Sequence, residues 1–400
     1  EVVMQFTTRL AMLITLTAAL GAHASAGLAQ NSCSAGATPA ATLLVPYFEV
    51  DFAAADRQTT LFAVTNAGAQ ATLAKVVVWT DWGVPTLTFD LFLAPDDVQS
   101  INLRDVFNGV LPQTGGGSFT GCADPLVLPV LDPTAITHLR QQHTGQPDAE
   151  GNCAGSGRAG ANVATGFVTI DAAQACSTLI TYPGHAGYFA AGGTGIASNA
   201  NLLVGDFFLV DASQDFAQGN EAVHIVADEG RFGSQPATFY GAWVAHSGVD
   251  ARSPLGTRYR ARFLNGGAFS GGTDLIAWLE PSAQTPQAVT CGQRPNFVDP
   301  CQYLETTAFD EAAVGQPTVR HDGVNEVATR LTVGSGEVPV AATFGFVDIE
   351  NRVQPSCAVE PLADFPLQSW VMPISSASGR YSLGLNAFRT GDELCPPIVF

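Results

Sequence analysis

The chain predicts an all-β fold, an antiparallel β-sandwich of immunoglobulin-like or jelly-roll type, built as one sandwich or as two packed together and stapled by disulfides. Short segments of alternating polarity recur between turn residues, the mark of half-buried strands. Forty-one glycines, twenty-four prolines and twenty-four phenylalanines suit many strands and turns better than helical packing. Eight cysteines, an even count, suit cystine staples in an oxidising compartment.

Residues 1–29 read as a leader. Glu1 to Val3 resemble translated upstream sequence before Met4. Arg9 is a short basic region, and Leu10 to Ala22 form an apolar run of thirteen residues. A bilayer-spanning helix needs about 20. Small-x-small cleavage signals follow at Ala24-Ser25-Ala26 and Gly27-Leu28-Ala29. Gln30-Asn31-Ser32 before Cys33 is no lipobox. The expectation is a secreted bacterial protein, periplasmic or extracellular, with no membrane span.

The first strands are expected over Thr42 to Val50, Thr60 to Thr65, Thr72 to Thr80, Thr86 to Leu93 and Val98 to Leu103, with turns at Asn66-Ala67-Gly68, Asp81-Trp82-Gly83 and Asp96-Asp97. In the fourth, Leu87, Phe89, Leu91 and Leu93 share one face and Thr88 and Asp90 the other. Residues 105–160 break the rhythm with Gly115-Gly116-Gly117 and a glycine-rich run from Gly151 to Gly160. One short helix is predicted there, with Asp132 as N-cap, Pro133 in its first turn and His138 within it. Strands resume at Val163 to Ile170, then Leu202 to Val210, Arg258 to Leu264, Val338 to Ile349 and Arg380 to Phe388. The expected division is an N-terminal sandwich over 30–175 and a C-terminal β-region over 176–400. Leu43-Leu44-Val45 to Asp51 echoes Leu202-Leu203-Val204 to Asp211, a likeness that buried strands produce from their few residue types.

The stretch Leu43 to Asp51, then Thr59-Thr60-Leu61, Asp81-Trp82-Gly83 and Ile101-Asn102-Leu103-Arg104-Asp105, resembles a group of uncharacterised secreted bacterial proteins. His138-Leu139-Arg140 through His143-Thr144-Gly145, Gly192 to Gly195 and Asn265-Gly266-Gly267 belong to the same resemblance. It covers most of the chain after the leader. It implies no activity and supplies no catalytic residues.

The disulfide staples are expected among Cys33, Cys122, Cys153, Cys176, Cys291, Cys301, Cys357 and Cys395. Closing the shortest loops favours Cys291–Cys301, Cys153–Cys176, Cys357–Cys395 and Cys33–Cys122, with connectivity left open. No Cys-x-x-Cys occurs, and nothing basic flanks a cysteine to hold it as thiolate.

Catalytic signatures are sparse. There is no Gly-x-Ser-x-Gly, His-Glu-x-x-His or P-loop. Gly155-Ser156-Gly157-Arg158-Ala159-Gly160 fits Gly-x-Gly-x-x-Gly but lacks the strand before and helix after that a dinucleotide site requires. His246-Ser247 with Asp250 offers triad chemistry, against the simpler reading of a strand-end turn. His138 and His143 could project from the long loop with Asp132 or Asp148, although their spacing puts them on different faces of a helix. Asp211, Asp215 and Glu221 are the weak candidate metal ligands, suited to calcium, and no other cofactor is indicated. Asp348 and Glu350 end another strand. Arg258, Arg260 and Arg262 form a basic stripe that suits an acidic glycan or, more often, acids on the next strand. Trp82 lies in a turn where it could stack on a sugar; Trp79, Trp243, Trp278 and Trp370 read as core.

A net charge of −19 disfavours nucleic acid and anionic lipid. The expected function is therefore a secreted, non-catalytic β-sandwich protein with a surface-structural or ligand-binding role, its partner a glycan or cell-surface component. The alternatives are a secreted hydrolase with an unrecognised His/carboxylate site and a calcium-dependent carbohydrate binder.

Overall fold

The computed structural model describes residues 38–123, 128, 130–177, 180–281, 288–293, 302–322, 326–353, 367–377, 382–384 and 387–391. The leader reading, Cys33, Cys301, Cys357 and Cys395 lie outside the described residues. The chain opens with β1 (Thr42–Asp51), β2 (Thr59–Asn66), β3 (Thr72–Thr80), β4 (Pro85–Leu93) and β5 (Val98–Asn102). These are the five strands expected there, each within a residue or so. Asn66 fixes the first turn: its side chain donates to the carbonyls of Gln70, Leu93 and Ala94 and accepts from Gly68 N–H. After Asn102, which caps it, the chain forms α1 (Leu103–Phe107), a turn of helix where strand was expected to end.

The predicted helix is α2 (Pro133–His143), with the Asp132 carboxylate accepting Ala135 N–H at 2.8 Å. There follow β6 (Asn152–Cys153), β7 (Val163–Ala173), β8 (Leu203–Asp211), β9 (Phe216–Glu221), β10 (Val223–Ile225) and the short α3 (Glu229–Phe232). The rest is β11 (Arg258–Leu264), β12 (Gly272–Leu279), β13 (Val289–Thr290), β14 (Gln302–Asp310), β15 (Val319–Asp322), β16 (Ala328–Thr332), β17 (Phe344–Val353), β18 (Ser369–Ser376), β19 (Ser382–Gly384) and β20 (Phe388–Gly391).

These strands form antiparallel sheets in two sandwiches. In the first, the order β10-β1-β7-β3-β4 faces β5-β2-β8-β9; in the second, β15-β14-β17-β11-β20 faces β16-β12-β18-β19. Leu43, Val45, Val76 and Val78 join Phe62, Val64, Leu203 and Phe207 in one core. Tyr259, Ala261, Phe263, Val347 and Ile349 meet Leu275, Ala277, Leu279 and Val371 in another. The expected division at 175/176 is crossed by hydrogen-bonded sheet, because β8 pairs with β2 and β10 with β1. Sheet membership changes instead at β11.

Alternation explains how the two sandwiches join. In β12, Leu275, Ala277 and Leu279 enter the second core while Ile276 and Trp278 enter the first. A strand buried on both faces reads as an unbroken apolar run, as Leu275 to Leu279 does. Trp278 stacks on Phe239 at 5.2 Å, and Trp79 on Phe167 at 5.5 Å. The β7–β3 pairing is so close at Gly166 that a Cβ there would sit 1.9 Å from the Trp79 carbonyl oxygen. Only glycine fits.

Two disulfides are described, Cys122–Cys176 and Cys153–Cys291. They replace the expected Cys153–Cys176, Cys291–Cys301 and Cys33–Cys122 pairs. The fold decides: Thr120 bridges Ala175, with Cys176 N–H donating to the Thr120 carbonyl, while β6 pairs with β13 and sets Cys153 opposite Val289. No helix among the described residues is long and apolar enough to cross a membrane.

Candidate functional site: an apolar cavity over strand β4

The polar face of β4 does not stand free on the surface. Helix α2 lies over it, presenting Ala135, His138, Leu139 and Gln142 at the i, i+3, i+4, i+7 spacing of a single helix face. The Cys122–Cys176 bridge, with Gly121 and Ala123, closes a third side. Between them is a cavity of 530 Å³ whose walls are mostly apolar, with Leu128, Leu131 and Ile180 completing them. Its size falls within the range of small-molecule sites.

Asp90 sets the polarity of this cavity. Its carboxylate lies on the wall, 2.8 Å from the Nζ of Lys75, the chain's single lysine, whose side chain is fully buried behind it. Burial pushes the Asp90 carboxyl up, and the Lys75 ammonium opposes that rise. Register extends the pair into a buried row across four strands: Asp90 faces Lys75, Lys75 faces Asp171, and Asp171 faces Thr42. Arg252 sits 3.4 Å from Asp171, which also accepts hydrogen bonds from Tyr188 at 2.6 Å and Tyr240 at 3.0 Å. Alternating signs along the row offset the cost of burying four charges.

The predicted histidines do not converge. His143 is fully buried, and burial lowers its pKa to about 4. Being neutral, it donates from Nδ1 to the Thr165 carbonyl at 3.0 Å, which leaves Nε2 to accept from the Thr86 hydroxyl at 2.7 Å. Both nitrogens are occupied, so it is an anchor for α2. His138 is exposed on the cavity wall, close enough to Asp148 to help lower that carboxyl, which is held down first by the Asn152 backbone N–H. Asp132 is spent on the helix cap.

His246 Nδ1 meets the Pro236 carbonyl at 3.1 Å, the nitrogen that a triad gives to its carboxylate. Ser247 follows in the same turn, where Ala245 and His246 both have positive φ. Asp250 is buried, accepts Tyr240 N–H at 2.9 Å, and is pushed up to about 6 by desolvation. The strand-end turn describes this segment. Asp211 caps a short turn through Ser213, Asp215 is left-handed at φ 48°, and Glu221 stands opposite Asp206 across β8–β9. Among the described residues no group of three or more His, Cys, Asp or Glu could hold a metal ion.

The remaining polar candidates are also engaged. Asp348 binds Arg260 at 2.6 Å and Arg258 at 3.3 Å, so the basic stripe is countered by the neighbouring strand. Trp82, expected at a surface turn, is buried beside Cys153 and Ala154, because the Cys153–Cys291 bridge folds over that turn.

A second, polar cavity of 230 Å³ escaped the sequence reading. It lies where β1 meets β16. Glu49 accepts from Tyr47 at 2.5 Å and from Arg330 at 2.9 Å, and Arg330 also binds Asp274 at 2.6 Å. Asp81 accepts from the Ser156 N–H and hydroxyl and from Thr165, and desolvation still raises it to about 7. This explains the glycine-rich segment: Gly155 lets the chain pass close to Asp81, and Ser156 satisfies its carboxylate. No known protein family, curated protein or solved structure matches this chain.

Proposed function

We propose that this chain is an exported, non-catalytic β-sandwich protein that binds a small, largely apolar molecule in the cavity between β4 and α2. The observation that carries the reading is the cavity itself: 530 Å³ of mostly apolar wall with a few polar groups along one strand. Disulfides support a destination outside the reducing cytosol. The hydrolase alternative draws no support from His143 or His246, whose Nδ1 positions are taken by backbone carbonyls.

Titration with N-phenyl-1-naphthylamine, a neutral probe that fluoresces in apolar surroundings, tests the proposal. Saturable binding at one site per chain is expected, weakened at least tenfold by Leu139→Trp, which fills the cavity. Non-saturable fluorescence, or saturation unaffected by Leu139→Trp, would remove the cavity as the site.

A further inference from the structure

The chemistry of the cavity wall restricts what it can hold, and this step rests on the cavity being the ligand site. Among the described residues, Asp90 is the one carboxylate on that wall and no arginine lines it. Lys75 stands behind the carboxylate, engaged at Oδ1 and fully buried, so it offers no ammonium to the cavity, and the Ser177 backbone N–H also bonds the carboxylate. The pair is therefore a dipole with its negative end toward the space. Elsewhere the wall carries the Thr88 hydroxyl, the Gln142 amide and the exposed imidazole of His138, while the Ser177 hydroxyl is bonded to that of Thr181. Any carboxylate-bearing ligand would bring a second negative charge beside Asp90 on a mostly apolar wall, with no arginine fork to receive it. The chain's net charge of −19 adds to that repulsion at long range.

We infer that the cavity selects organic amines: a cationic ammonium seated on Asp90, with an apolar ring or chain between β4 and α2. The ammonium would complete a −, + alternation that already runs through Asp90, Lys75, Asp171 and Arg252. Apolar alcohols fit the same space without the charge, and apolar acids are excluded.

Three probes with one apolar body separate these cases: 2-naphthylmethylamine, 2-naphthylmethanol and 2-naphthoate. Each competes against N-phenyl-1-naphthylamine at pH 8, above the ordinary histidine range. The amine is expected to bind at least tenfold tighter than the acid, with the alcohol between them. Asp90→Asn should cost the amine tenfold or more and leave the alcohol within about twofold. Because that change strands the buried Lys75 ammonium, Lys75→Met/Asp90→Asn is measured beside it and should lose the amine preference equally. Equal affinities for amine and acid, a tighter acid, or an amine preference surviving in the double variant would overturn the inference while the cavity reading stands. If none of the three displaces a probe that binds saturably and is weakened by Leu139→Trp, the inference falls and the cavity reading stands.

Discussion

Glu280 should make the protein less stable as pH rises, and Glu280→Gln should remove its share of that dependence. The carboxyl is buried where the two sandwiches meet; its Oε2 accepts Gln368 N–H at 3.0 Å, and Gln368 in turn donates to the carbonyls of Thr238 and Phe239 and accepts from Leu255 N–H. Desolvation outweighs these bonds and lifts the carboxyl from 4.5 to about 7. The folded state thus holds its proton more tightly than the unfolded chain does. Its contribution is complete below pH 4.5 and is lost as pH rises through about 7. At about 1.4 kcal/mol for each tenfold in proton affinity, the ionised folded state is disfavoured by about 3 kcal/mol. Most of this, about 2–3 kcal/mol, falls between pH 5 and pH 8.5. Urea unfolding of both proteins at those two pH values reads it. A constant cost of seating an amide shifts both points alike and cancels. Asp250, raised to about 6 and facing the same charge, can only add to the effect in the same direction. Stability differences equal at the two pH values would show that Glu280 does not titrate as its burial requires.

Three further outcomes follow from the same physics. Lys75→Met alone should cost about 3–5 kcal/mol by leaving Asp90 buried beside an apolar side chain, whereas Lys75→Met/Asp90→Leu should return to within about 1–2 kcal/mol of the parent; equal losses in both would mean the pair is not coupled. His143, held neutral with its pKa lowered from 6.5 to about 4, contributes stability that is full above pH 6.5 and lost as pH falls through about 4, worth about 3 kcal/mol; His143→Gln should abolish that acid-side loss in calorimetric melts. Cys122→Ser/Cys176→Ser should lower stability by about 2–4 kcal/mol and weaken the neutral probe, since the bridge is also a cavity wall; intact affinity after this double change would move the site elsewhere.

Much of the fold was legible because it is local. The period-2 face of Leu87, Phe89, Leu91 and Leu93, the turn at Asn66 and the cap at Asp132 need only neighbours within a few residues. What failed was long-range. Loop-closure entropy favours near cysteines, yet the bridge between Thr120 and Ala175 has already brought Cys122 beside the segment that carries Cys176 past the end of β7, so chain distance no longer decides. The division at 175/176 failed likewise, because β8 returns across the chain to pair with β2. Trp82 looked exposed since its turn was visible and the bridge lying over it was not. The site was hidden by the rule that revealed the strand: alternation with Leu87, Phe89 and Leu91 sets Thr88 and Asp90 on the opposite face, and nothing nearby says that a helix covers that face.

That cover has its own logic, and the logic yields a last test. Strand β4 is an edge of its sheet, and an uncovered edge invites pairing with another chain. Thr114 blunts it by bonding both the N–H and the carbonyl of Phe92 through its hydroxyl, and α2 with the Cys122–Cys176 loop shields the face. Shielding alone would be better served by large apolar side chains, each buried methylene adding about 0.8 kcal/mol. Instead Gly121, Ala123 and Ala135 stand on the wall, and 530 Å³ is left open. Ala135→Leu separates a working space from loose packing. The substitution keeps the Asp132 cap, which bonds the Ala135 backbone N–H, and leucine is nearly as good a helix former as alanine. It should raise stability by up to about 2 kcal/mol while weakening the neutral probe at least tenfold. A variant that is more stable and binds as before would mean that the probe ignores the cavity, and that the small side chains are only a packing defect tolerated beneath a shielded edge.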